Sequence, residues 1–186
     1  ERPKGSSAHE DDGTGQMNIL KPQQIRALLD AAGTEKDRVL FMTAVLTGMR
    51  QGELFGLKWD DIDWDDCQII VRRTYNHAHF YEPKTRTSKR RIDLAPELVH
   101  ELKKWKLACP KGELSLVFPT ALGTPDNAHN MLKRRFHPAL KRAGLDRIRF
   151  HDLRHTYASL LIDQGEYPKY IQVQMGHSSI KVTMDI

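Results

Sequence analysis

Apolar positions in this chain recur mostly at helical spacing, with one β-branched stretch near the middle. Pro22 stands where a helix would begin; Ile25, Leu28, Leu29 and Ala32 follow on one face, and Gly33 ends the run. A second helix fits Val39 to Leu46, closing near Thr47-Gly48, and a short one fits Arg50 to Leu57. Trp59 to Asp66 reads as an acidic, aromatic turn, Gln68 to Thr74 as a strand, and Tyr75 to Leu94 as a hairpin with basic turns. Pro96 opens a helix reaching Leu107, and Leu116 to Phe118 is extended. Asn127 to Ala143 predicts a basic helix stopped by Gly144, and Phe150 to Gln164 a long one stopped by Gly165. Pro168 to Gln174 and Ile180 onward predict two more short helices, joined through Gly176-His177. No internal repeat is present. The pattern predicts an α+β fold, mostly helical, with a small antiparallel sheet packed on helices.

Composition adds boundaries. The 186 residues fit one domain, read as 17–186, behind a polar leader at 1–16 expected to be flexible. Hydrophobic residues make up 39%, enough for an ordinary core. That leader has no apolar h-region, and no apolar run is long enough to span a bilayer. Cys67 and Cys109 are far apart, as reduced thiols in a cytoplasmic protein would be. The net charge of +5 suits a polyanionic partner and equally a solvated basic surface.

Four segments carry candidate chemistry. In Thr47-Gly48-Met49-Arg50-Gln51-Gly52-Glu53-Leu54, Arg50 opens a helix and Glu53 lies one turn on; alone, this is an ordinary ion-pair spacing. Pro83 to Arg91 holds Lys84, Arg86, Lys89, Arg90 and Arg91 with no acid among them, a pattern for a solvated turn or for phosphate contacts. His151, Arg154 and His155 fall at helical spacing on one side, joining a bidentate phosphate ligand to groups that exchange protons near neutrality. Met175-Gly176-His177-Ser178-Ser179 places a histidine at a tight turn, with Ser178 or Ser179 available to cap the next helix. The basic helix adds Lys133, Arg134 and Arg135.

Taken together and in this order, T-G-x-R-x-x-E-L, a lysine in the hairpin, H-x-L-R-H and G-H resemble the tyrosine recombinase (phage integrase) family from about Met17 to Ile186. Leu57 to Asp63 resembles the family's link between the first arginine helix and the sheet. The resemblance implies site-specific DNA recombination or integration through a 3′-phosphotyrosine, with no metal, nucleotide or other cofactor. It implies a catalytic set of Arg50, Lys84, His151, Arg154 and His177, with Glu53 and His155 in support. Arg86, Lys89, Arg90, Arg91, Lys133, Arg134 and Arg135 would then contact DNA. Implied partners are a double-stranded recombination site and other recombinase protomers in a tetrameric synapse. The isolated chain would be a monomer, and the parent protein cytoplasmic in a bacterial host.

The family's tyrosine is expected at position 186 or just after it, and position 186 is Ile. Val182 to Ile186 reads as the approach to a tyrosine beyond the given residues, so the domain is expected to be truncated and this chain to be inert for cleavage. Tyr157 is expected to pack, and Tyr167 and Tyr170 to fix a helix junction. Three other readings compete. Asp61, Asp63 and Asp65 mimic the opening of a calcium loop, but Asp66 and Arg72 stand where that loop wants Gly and Glu, so a solvated turn is expected. His77 and His79 share one strand face without a third ligand. A non-catalytic DNA-binding derivative and a type IB topoisomerase are the remaining alternatives.

Overall fold

The computed structural model describes residues 18–82, 89–177 and 179–181. The polar leader, Lys84, Arg86, Ser178 and the approach Val182 to Ile186 lie outside these residues.

The fold is organised around α2 (Glu35–Thr47), whose Val39, Leu40, Phe41, Thr43, Ala44, Val45 and Thr47 are all buried. A helix apolar on most sides has to be covered on most sides. Thr34 caps its start, accepting from the Asp37 amide. Its end is Gly48 in the left-handed conformation. Around α2 pack α1 (Pro22–Asp30), α3 (Gln51–Gly56), α4 (Pro96–Ala108) and α7 (Asp152–Asp163). Phe41, Phe136 and Phe150 meet edge-to-face at the centre, with ring centroids 5.1–6.4 Å apart.

The predicted basic helix forms as three pieces in series: α5 (Ala128–Met131), a π turn (Leu132–Phe136) and α6 (His137–Arg142). The wide turn ends at Phe136, two residues before Pro138, which has no N–H to give and would crowd an α-helical carbonyl behind it.

The sheet is smaller than the sequence suggests. After a 3-10 turn (Trp59–Asp61), β1 (Ile62–Asp63), β2 (Gln68–Ile70) and β5 (Arg91–Asp93) pair antiparallel in the order β1-β2-β5, with Ile69 opposite both Ile62 and Ile92. A separate hairpin of β3 (Thr74–Asn76) and β4 (His79–Tyr81) packs on α3. The expected strand through Thr74 is therefore two strands. His77 occupies the hairpin turn with positive φ, not the strand face proposed for it beside His79. Leu116–Phe118 runs extended beside Leu57–Trp59, its Val117 amide donating to the Leu57 carbonyl. Asp61 departs from the expected solvated turn: it is buried, accepting from the Lys58 amide and pairing with Arg73.

A smaller apolar cluster of Tyr157, Ala158, Leu161, Ile171 and Met175 joins α7 to α8 (Pro168–Met175). Tyr170 packs against this cluster and donates to Asp93 at 2.7 Å, tying α8 to β5, while Tyr167 is 80% exposed. No helix among the described residues is long and apolar enough to cross a membrane.

Gly48 tests the packing where α2, α7 and α8 meet. Its φ is +58°, and an added Cβ would lie 2.5 Å from Tyr157 Cδ1 and 3.0 Å from Met175 Sδ. Gly48→Ala is expected to destabilise the protein by roughly 2–4 kcal/mol, through backbone strain and overpacking together. Urea unfolding measures this, and a loss below about 1 kcal/mol would contradict the packing described.

Candidate active site

Two helix ends and one helix start converge on Arg154. It lies on the buried side of α7 with 3% relative exposure. Its Nη1 donates to the Gly48 carbonyl and its Nη2 to the Met175 carbonyl. Those oxygens stand at the C-terminal ends of α2 and α8, where backbone carbonyls lack helical partners and carry partial negative charge. Gly48 and Gly176, both left-handed, then turn the chain away. Arg50 follows the first turn by two residues, and His177 follows the second directly. One guanidinium thereby fixes the segments that carry both other groups.

Arg50 is the N-cap of α3, with a side chain 42% exposed and facing a buried Glu53. Glu53 accepts from the Arg50 amide at 2.8 Å and from Arg50 Nη1 at 3.0 Å. Burial alone would raise the Glu53 pKa, but the hydrogen bonds and charges of Arg90 and Arg50 outweigh it and hold the carboxyl low. Glu53 is therefore an anion inside a cationic cluster.

His151 stands just before α7, as its N-cap and not within the helix. Buried Asp152 fixes that turn, accepting from the Arg149 amide at 3.0 Å and from its guanidinium at 2.8 Å. The rings of His151 and His155 meet edge-to-face, 5.1 Å apart. His155 is partly buried and its Nδ1 has no hydrogen-bond partner among the described residues. Desolvation of the ring, then the charges of His155, Arg154 and Arg50, push His151 down to about 4 although the residue as a whole is exposed. Desolvation, then Arg154, Arg50 and Arg90, push His177 down to about 4 as well. Arg154 itself is lowered to about 9, by burial first and then by Arg50 and Arg90, and stays protonated at neutral pH. The result is a positively charged pocket with neutral imidazoles, suited to receive an anion and to exchange a proton with it.

The structure thus gathers Arg50, Glu53, His151, Arg154, His155 and His177. Lys84 falls outside the described residues. Two predicted DNA contacts are corrected. Arg90 is buried, with Nη1 and Nη2 each 3.0 Å from a Glu53 oxygen, so it cannot face a duplex. The signal was present: Arg90, Ile92 and Leu94 alternate along a strand and share its buried face. Arg135 is held by Asp37 at 3.1 Å and Asp126 at 2.6 Å, tying the π turn to α2. Its spacing from buried Met131 marks it as inward-facing. Lys89 and Arg91 are over half exposed, and Lys133 and Arg134 are exposed. Arg91 also lies 3.7 Å from Asp63 and 3.6 Å from Asp66. Among the described residues no group of three or more His, Cys, Asp or Glu side chains is placed to hold a metal ion. Tyr157 packs beneath Gly48, and burial raises its hydroxyl pKa well above the ordinary tyrosine value.

Three imidazoles are lowered, His155 by desolvation first, and the large shifts of His151 and His177 set a pH dependence. Above about pH 6.5, His151 and His177 are neutral in folded and unfolded chain alike, and add nothing to the pH slope. Below it the unfolded chain takes up protons that the folded site refuses until about pH 4, so stability falls as pH drops through that window. Histidine C2–H NMR titration is expected to show both rings uncharged at pH 5.5; midpoints near 6.5 would refute the desolvated pocket.

Residues 18–186 match the phage integrase family. The tyrosine recombinase XerC-like protein of Caldanaerobacter subterraneus is 30% identical over 92% of this chain, and the ICEBs1 integrase of Bacillus subtilis is 31% identical over 91%. The chain spans about half the length of these two relatives, 50% of each. Among solved structures, the Tn1549 transposon integrase in complex with circular intermediate DNA superposes with a TM-score of 0.81 at 27% identity, over 94% of this chain and 64% of that one. Sequence, fold and the converging Arg50, Arg154 and His177 agree, and this chain belongs to the phage integrase family.

Proposed function

We propose that this chain is the catalytic domain of a mobile-element integrase that cleaves and rejoins DNA for site-specific recombination. The observation that carries the reading is buried Arg154, fixed by two helix ends between the segments of Arg50 and His177. A phosphodiester entering this pocket is an anion, and its transition state concentrates charge on the non-bridging oxygens. Arg50 and Arg154 serve those oxygens, because a guanidinium is planar and stays charged. His177 donates a hydrogen bond to the same phosphate. Neutral His151 takes the proton of the attacking tyrosine hydroxyl. The tyrosine oxygen bonds to phosphorus, the bond to the 5′-oxygen breaks, and Lys84 gives that oxygen a proton. The role of Lys84 rests on its motif alone. Neither Tyr157 nor Tyr170 serves as nucleophile, since one is packed under Gly48 and the other is held on Asp93; we assign the attack to a tyrosine after Ile186.

The DNA partner is supported by the Tn1549 integrase complex and by exposed Lys89, Arg91, Lys133 and Arg134. A tetrameric synapse on DNA, a monomer in free solution and a cytoplasmic location in a bacterial host complete the reading.

Duplex binding by this chain is expected to weaken steeply as salt rises, because Lys and Arg release counterions from the phosphates. Fluorescence anisotropy across a salt series measures it; a salt-independent interaction would contradict this mode. Carried past Ile186 to its tyrosine, the protein is expected to form a covalent 3′ adduct on a nicked suicide duplex, with EDTA present or absent. Arg154→Ala should slow the adduct by at least about 100-fold, and an adduct formed at the parental rate would remove Arg154 from the mechanism. Relaxation of supercoiled plasmid without joining of two sites would mark a topoisomerase instead.

A further inference from the structure

Arg90 is not in the implied catalytic set, yet it touches the residues that support Arg50 and the end of α8. Its three described donors all go inward: Nη1 and Nη2 to the two oxygens of Glu53 at 3.0 Å, and Nε to the Gln174 carbonyl at 2.8 Å. Its backbone is held as well, because the Val71 amide donates to the Arg90 carbonyl at 2.9 Å. Gln174 is the penultimate residue of α8, beside the Met175 carbonyl that receives Arg154 and three residues before His177. The Gln174 side chain is itself fixed, accepting from the Asp93 amide and donating to the Asp93 carboxylate, both at 3.0 Å. Arg90 also stands immediately before β5, in the same basic run of sequence as Lys84.

Glu53 is the contested group. Its Oε1 is shared, 3.0 Å from Arg50 Nη1 and 3.0 Å from Arg90 Nη1. Its Oε2 is engaged by Arg90 Nη2 and by the Arg50 amide. A carboxylate prefers a guanidinium that grips both oxygens. With Arg90 in place, that grip is taken, and Arg50 keeps only one side-chain contact. Without it, Glu53 can turn its full charge onto the Arg50 guanidinium and draw it away from an incoming phosphate.

We propose that Arg90 is a positioning residue: it occupies Glu53 so that Arg50 stays available to phosphate, and it sets the α8 end that presents His177. This rests on the recombinase reading for its consequence in catalysis, though not for its effect on phosphate binding. Lysine cannot substitute. One ammonium cannot hold both carboxylate oxygens and the Gln174 carbonyl in a fixed fork.

The test uses Arg90→Lys, which keeps the charge, and the double variant Glu53→Gln/Arg90→Gln, which leaves no buried charge unpaired if the single variant folds poorly. The first measurement is made on this 186-residue chain, by NMR with inorganic phosphate as probe. In the wild type, phosphate is expected to shift the Arg50 side-chain N–H and the His177 ring at one common half-saturation. In Arg90→Lys the Arg50 response is expected to be lost; in the double variant, where Glu53 no longer competes, it returns. The second measurement is single-turnover adduct formation by the tyrosine-bearing protein. Arg90→Lys is expected to lower the rate at saturating DNA by about tenfold or more, with half-saturation within about twofold of wild type. Folded fraction is followed by circular dichroism. An unchanged Arg50 response in Arg90→Lys, no phosphate response in the wild type, or a rate loss that only tracks the folded fraction would each overturn the proposal. If wild-type protein forms no adduct but the phosphate responses follow the expected pattern, the recombinase reading fails while the positioning role stands.

Discussion

A guanidinium does not give up its proton in a protein interior, so a buried arginine has to be surrounded by oxygen. Arg154 meets this requirement with two backbone carbonyls, one from the end of α2 and one from the end of α8. The dependence runs both ways. The helix ends satisfy the charge, and the charge brings together two chain segments more than a hundred residues apart. The left-handed glycines, the packing of Tyr157 beneath Gly48 and the small α7–α8 core all serve this junction. Here the site and the fold share one set of interactions.

That sharing explains the electrostatics. Arg50, Arg90 and Arg154 crowd one region with Glu53 as the anion among them, and the cost is reduced by keeping the histidines neutral. Three guanidiniums around one carboxylate leave a positive field that solvent only partly screens. On the proposed reading, a phosphodiester is the anion that offsets this charge, whatever its bases. In the same proposal, neutral His151 is the group that accepts the proton.

Much of this was legible in the sequence, and the rest was hidden for identifiable reasons. Helix starts at Pro22 and Pro96 and stops at Gly48 and Gly165 follow from local backbone chemistry, whereas α1 is capped at Ala31, two residues before the expected Gly33. Arg50, His151, Arg154 and His177 were found because their motifs occur in order, and the fold then brought them together. The errors came from reading charge without facing. Arg90 and Arg135 sit in basic runs, which suggests surface contacts, although strand alternation and helical spacing each point them inward. Asp61 was lost among its acidic neighbours for the same reason. His77 was misplaced because two non-glycine residues in succession, His77 and Ala78, adopt positive φ, which composition does not announce. The π turn depends on how Pro138 meets the preceding helix, beyond what a period count detects.

The pairing of β2 with β5 has a bearing on how such a domain can vary over time. Ile69 faces Ile92, and this single register keeps Arg90 inside and Arg91 outside. Because successive residues point to opposite faces, parity is what matters between Lys89 and Leu94: a one-residue insertion there would turn Arg91 into the core and strand Glu53. The phase of this one short strand therefore decides which arginine the site keeps and which the solvent takes.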